Sequence, residues 1–152
     1  MKGDKVVTNN RKAFHDYLIE ESFEAGMVLT GTEIKSIRSG RVNIRDAYAR
    51  PQNGELWLMN SHIAPYKEGN RYNHEPTRPR KLLLHKKEIS SLSAAVERKG
   101  LTLVPLKMYL KGGRAKIELG IAKGKKLHDK RRSMIQRQTD REMEKAVKST
   151  KR

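Results

Sequence analysis

The chain has 152 residues, 34% charged and 36% apolar, with a net charge of +17 and a pI near 10.3. That length holds about one domain, and the absence of cysteine excludes disulfides, thiolate zinc sites and cysteine nucleophiles. A charge of this size speaks of partners rather than of fold, and phosphate backbones are the commonest matching polyanion.

A membrane surface is disfavoured. No stretch approaches the ~20 apolar residues of a spanning helix, and the basic C-terminal stretch has no Trp/Phe/Leu face to lie on lipid. Residues 1–10 are polar, end in Asn9-Asn10 and read as a flexible leader. Met1 to Thr8 hold Lys2, Asp4 and Lys5 without an apolar run, so no secretory signal is expected and the cytoplasm is the expected location. Alternation sets Ala13, His15, Tyr17 and Ile19 against Phe14, Asp16 and Leu18, which predicts a first strand. Glu20-Glu21-Ser22 interrupts it. Phe23 to Leu29 then resumes an extended course in which Gly26 is a candidate bulge.

Thr30 followed by Glu33 is a capping box, Ile34 and Ile37 share a helical face, and Gly40 is a natural terminator, so a short helix is predicted there. Ile44 to Arg50 and Glu55 to Ile63 read as two strands joined by a tight turn at Asn53-Gly54. Residues 65–81 form a long connection in which Tyr66, Tyr72 and His74 lie among Lys67, Arg71, Arg78 and Arg80. That interleaving suits single-stranded RNA, and equally an ordinary surface loop. A second helix is predicted from about Lys87 to Lys99, with Ile89, Leu92 and Val96 on one stripe. A hairpin closes the body. Leu106, Met108 and Leu110 oppose Lys107, Tyr109 and Lys111, Gly112-Gly113 turns the chain, and Ala115, Ile117 and Leu119 oppose Arg114, Lys116 and Glu118. Its polar face is either an RNA platform or a solvated sheet face.

From Lys123 to Arg152, twelve Lys/Arg stand against four Asp/Glu, so +8 of the net charge sits there and +9 on the rest. Such density opposes burial and suits a polyanion. The fold class expected is mainly β: an OB-like antiparallel Greek-key barrel over residues 11–122, of about six strands with two or three short flanking helices. A basic C-terminal tail, residues 123–152, is expected to be disordered when free. A ferredoxin-like sheet is the alternative.

Catalytic constellations are missing. His15, His62, His74, His85 and His128 have no ligand spacing, no Walker-type loop is present, and Glu20, Glu21 and Glu24 are the only dense acidic group. No metal, no cofactor and no enzymatic activity are therefore expected. Glu24 could orient a cation or accept from RNA, or be a plain exposed carboxylate. His128 could stack on a base, or belong to a non-specific basic arm.

Three long segments carry a resemblance. Phe23-Glu24-Ala25-Gly26 with Gly31 to Gly40, then Pro76-Thr77-Arg78-Pro79-Arg80-Lys81-Leu82-Leu83-Leu84, then Gly120 to Arg131, closely resemble the SmpB family, the small protein B that binds bacterial transfer-messenger RNA (tmRNA). The resemblance runs from about Asn10 to Arg132 and implies an OB-like barrel with flanking helices. It implies a role in trans-translation: binding the transfer-RNA-like domain of tmRNA and delivering it, with elongation factor Tu and GTP, to stalled ribosomes. The implied tmRNA-binding residues are Asn10, His15, Glu24, Leu83, His85 and Lys116. Those for the decoding centre of the small subunit, in the 30S and 70S ribosome, are Gly124, Lys125, Lys126, His128, Asp129, Lys130 and Arg131. Ile135, Thr139, Met143 and Val147 fall at intervals of four, as for a helix formed against RNA. A monomer is expected. A basic OB-type ribosomal protein bound to rRNA is the alternative.

Overall fold

The computed structural model describes residues 5–124. In chain order the elements are β1 (Lys5–Asn9), α1 (Arg11–Asp16), β2 (Tyr17–Met27), α2 (Gly31–Arg38), β3 (Val42–Asn43), β4 (Tyr48–Gln52) and β5 (Glu55–Met59). There follow β6 (His62–Ile63), a 3₁₀ helix (Lys67–Tyr72), β7 (Arg80–Leu83), α3 (Lys86–Lys99), β8 (Thr102–Lys111) and β9 (Arg114–Gly124). Strands β4, β5, β7, β2, β9 and β8 pair in that order and β8 also pairs with β4, so six antiparallel strands close into a barrel. Closure removes sheet edges that would otherwise seek partners. The mainly β barrel with three flanking helices agrees with the fold class expected from sequence.

Its interior is filled by alternate residues of these strands. Leu56, Leu58, Leu82, Leu103, Met108, Ile117 and Leu119 are fully buried, and α2 and α3 add Ile37 and Leu92. Burying each such side chain stabilises by about 1.5–3 kcal/mol. A smaller cluster sits under α1, where Ala13 packs with Val104, Leu106 and Ala122. Packing there is tight: a methyl added at Gly120 would lie 3.0 Å from Leu106 Cδ1 and 3.1 Å from Ile19 Cγ2. The Asn53-Gly54 turn has φ of +51° and +76°, the pair of left-handed conformations that a two-residue hairpin needs.

The structure corrects several expected boundaries. Lys5 to Asn9 are not a loose leader but a seventh strand laid on β8, with Lys5 opposite Leu110 and Asn9 opposite Lys107. Backbone pairing holds it, which side-chain patterning does not reveal. The strand expected from Ala13 is instead the end of a helix followed at Tyr17 by β2. Asn10 caps that helix: its Oδ1 accepts from Ala13 N (3.1 Å), and its Nδ2 donates to Pro105 O (2.8 Å) and Ile44 O (3.2 Å). The bulge in β2 falls between Ile19 and Glu21, at Glu20 rather than Gly26. The strand expected at Ile44 begins at Tyr48, and the following one splits at Asn60, whose φ is +60°. Lys123 and Gly124 extend β9, opposite Leu18 and Tyr17, beyond the expected barrel limit.

Candidate nucleic-acid interface

Strands β2, β7 and β9 bring three of the implied residues to one face. Gly26 pairs with both Leu83 and Lys116, so these two side chains flank it. A Cβ at Gly26 would stand 3.4 Å from Leu83 Cβ and 3.5 Å from Lys116 Nζ, so the ammonium lies over bare backbone beside the leucine. Leu83 is 49% exposed on its strand. Glu24 lies two residues before Gly26 and is also exposed. Its Oε2 accepts from the Tyr109 hydroxyl and stands 3.5 Å from Lys111 Nζ, while Oε1 has no hydrogen-bond partner among the described residues. The Tyr109 hydrogen bond, with help from Lys111 and Lys116 and against partial desolvation, holds the Glu24 carboxyl below the usual carboxylate range. Lys116 has no ion-pair partner among the described residues. The patch therefore offers one carboxylate oxygen, one ammonium and one apolar surface.

The polar face expected of the hairpin is only partly as expected. Tyr109 is 5% exposed, with Lys107 Nζ 5.3 Å from its ring centroid, so its ring is not open to a stacking base. Lys107 also stands 3.5 Å from Glu118, which lies opposite Glu24 in the β2–β9 register.

His15 lies elsewhere. It sits in the last turn of α1 with its side chain 85% exposed and Nδ1 3.0 Å from Asp16 Oδ1. Beside it is a cleft whose lining includes Arg11, Lys12, His15, Asp16, Asn43 and Arg45, so three cations and an imidazole face it together with one carboxylate. Tyr17 and Glu24 lie seven residues apart on β2, so the two patches are roughly 20–25 Å apart at about 3.3 Å per residue. Asn10, implied as an RNA contact, is 3% exposed with both ends of its amide bonded internally, so its work is to fix α1. Gly124 ends β9 opposite Tyr17, at the α1 end of the barrel. His85 precedes α3, exposed, and its backbone N–H donates to Glu88 Oε1 at 3.2 Å. Lys125, Lys126, His128, Asp129, Lys130 and Arg131 lie outside the described residues.

The segment 65–81 buries Arg80 and turns Arg78 and His74, both half-buried, toward the fold. Arg80 is fully buried: Nε meets Glu33 Oε2 at 2.5 Å, Nη1 donates to Ser61 O and Oγ (both 2.9 Å), and Nη2 to Pro76 O (3.0 Å) and Glu75 O (3.4 Å). All five donors of the guanidinium are used. Glu33, also fully buried, takes Arg78 at 2.5 and 3.1 Å and the Thr30 N–H at 2.8 Å. Burial pushes the Glu33 carboxyl up, but the bonds from Arg78, Thr30 and Arg80 outweigh it and hold it below the usual range. His74 bridges Ile63 O (2.8 Å) and Thr32 Oγ1 (2.9 Å). The carbonyl requires Nε2 to donate, so Nδ1 accepts from the hydroxyl.

Sequence reasoning missed the Tyr109–Glu24 bond and the Glu33–Arg80 pair, because both join segments far apart in the chain. It also gave no weight to Phe14, 56% exposed beside His15. Among the described residues no group of three or more His, Asp or Glu could hold a metal ion, and no helix is long and apolar enough to cross a membrane.

An antiparallel barrel carrying exposed cations, an exposed imidazole and an under-used carboxylate defines a basic β-barrel of the nucleic-acid-binding class. The sequence model of the SmpB protein family matches residues 7–149. The chain belongs to that family, whose members bind RNA and are not enzymes. It is 62% identical over 146 residues to an SsrA-binding protein of Carboxydothermus hydrogenoformans, covering 96% of this chain and 98% of that one. A second SsrA-binding protein, of Roseiflexus castenholzii, is 59% identical over 98% of this chain and 95% of its own. Among solved structures, a chain described under "tmRNA-SmpB: a journey to the center of the bacterial ribosome" superposes with a TM-score of 0.66 at 53% identity, covering 77% of this chain and 82% of that chain.

Proposed function

We propose that this protein binds the transfer-RNA-like domain of tmRNA and brings it to stalled ribosomes in trans-translation. The observation that carries the reading is the near-full-length likeness to SsrA-binding proteins, which spans body and basic C-terminal stretch alike. The barrel supplies the RNA surface. Glu24 accepts a hydrogen bond, Leu83 packs on a base or sugar, Lys116 meets phosphate and His15 stacks on an unpaired base. Asn10 and His85 support that surface from the starts of α1 and α3. The two exposed patches suit an RNA long enough to lie along β2.

Gly124, Lys125, Lys126, His128, Asp129, Lys130 and Arg131 would act at the decoding centre, with the basic segment beyond them in the empty messenger channel. Elongation factor Tu with GTP joins through the charged RNA, and the protein acts as a monomer in the cytoplasm. Recovery of bound RNA from cells tests the reading. A single structured RNA with a transfer-RNA-like end supports it; rRNA recovered in stoichiometric amount with every ribosome would favour a ribosomal protein instead.

A further inference from the structure

Tyr109 is the feature of the RNA face that the proposed function leaves unexplained. In β8 it stands between Met108 and Leu110, on the side opposite the fully buried Met108, yet it is itself buried. Its register partners are Val6 of β1 and Lys116 of β9. A tyrosine held in this way can neither stack on RNA nor reach it. Its hydroxyl goes to Glu24 Oε2, with Lys111 approaching the same oxygen at 3.5 Å.

The consequence is asymmetric. Oε2 has two donors and Oε1 has none among the described residues. An exposed glutamate would otherwise sample many rotamers, and ordering it costs side-chain entropy each time a ligand binds. A buried phenol bonded to one oxygen fixes the carboxylate in advance and aims the other outward, and preorganisation of this kind raises affinity by lowering the ordering cost of binding. We propose that Tyr109 is a positioning residue: it locks Glu24 so that Oε1 alone is presented, as an acceptor for one RNA donor, a ribose 2'-hydroxyl or a base N–H. The inference rests on Glu24 being an RNA contact.

The charged groups around Glu24 are Lys111 of β8, and Lys116 and Glu118 of β9. The two lysines attract the carboxylate through a screened field. The phenol does so through a directed bond, so loss of Tyr109 and loss of Lys111 are separable by salt.

Tyr109→Phe removes the bond and keeps the ring, its burial and the nearby Lys107 ammonium. In the full chain, the Glu24 carboxyl carbon, titrated by NMR in the free protein, should have a higher pKa in this variant. Affinity for the transfer-RNA-like domain should fall about threefold to tenfold, by a factor that raising the salt leaves unchanged. In a Glu24→Ala background the same change should cost less than twofold, because the acceptor that Tyr109 orients is gone. Lys111→Gln, by contrast, should show a loss that shrinks as salt rises.

An unmoved Glu24 pKa, or an equal loss with and without the Glu24 carboxylate, would overturn the positioning role while leaving Glu24 as a contact. Glu24→Ala binding RNA like the wild type would remove Glu24 from the interface, and this inference with it. If Tyr109→Phe does not fold, the full chain labelled at Glu24 decides: a carboxyl that titrates at the ordinary glutamate value contradicts the lock.

Discussion

Glu33 and Glu24 are carboxylates set among cations, and they do opposite work. Glu33 is sealed within the fold and takes four hydrogen bonds from Thr30, Arg78 and Arg80, so it joins α2 to the start of β7. Glu24 is exposed and shares one oxygen between Tyr109 and Lys111 while the other has no partner among the described residues. The same division separates Arg80, whose donors are all used, from Lys116, which has no ion-pair partner among the described residues. Charge alone therefore does not mark a binding residue in this basic chain. Unused hydrogen-bonding capacity at the surface is what singles out the proposed contacts.

The largest expected effect lies on the sealed side. Glu33→Gln leaves Arg80 buried without its counter-charge, and chemical denaturation should record a loss of about 3–5 kcal/mol. Because the folded pKa of Glu33 is depressed, the stability it contributes is present above the ordinary carboxylate value of 4.5. It is lost as pH falls below that value through the folded pKa, so acid melts should separate wild type from Glu33→Gln near neutrality and bring them together in strong acid. On the open side, His15→Ala should leave the melt unchanged and weaken binding to the transfer-RNA-like domain by roughly 1–3 kcal/mol, measured by calorimetry. Glu24→Gln should shift stability by no more than about 0.5 kcal/mol and cost roughly tenfold in RNA affinity, as for a hydrogen bond to a charged group. Lys116→Ala should give the smallest change: the slope of log affinity against log salt should fall by about one unit, which His15→Ala should not reproduce.

Where a local signal was self-sufficient, the sequence was legible. The Thr30–Glu33 capping box, the Asn53-Gly54 turn, the stripe of α3 and the pairing and turn of the final hairpin stand as read. Where the deciding partner is far away, it was not. α1 is six residues long, too short for a 3.6-residue period to show, and its cap is fixed by a bond from Asn10 to Pro105, 95 positions on. β1 carries no clean alternation: Val7 packs against the core, and the rest of the strand is held mainly through its pairing with β8. Tyr109 follows the alternation of β8, yet neighbours on two other strands bury it. Glu24 came to notice in the one dense acidic group, Leu83 and Lys116 through family likeness; nothing local distinguishes Lys116 from Lys107 or Lys111, and only the fold reveals which of them lacks an ion-pair partner among the described residues.

Chemical-shift mapping of the full chain, titrated with the transfer-RNA-like domain, tests the contrast between sealed and open charges most directly. The largest perturbations should fall on the Glu24 carboxyl, the Leu83 methyls, the Lys116 ammonium and the His15 ring, with the Arg80 Nε–H resonance unmoved. Shifts at Arg80 and Glu33 as large as those at Glu24 and Lys116, or none at Glu24 under saturating RNA, would contradict it.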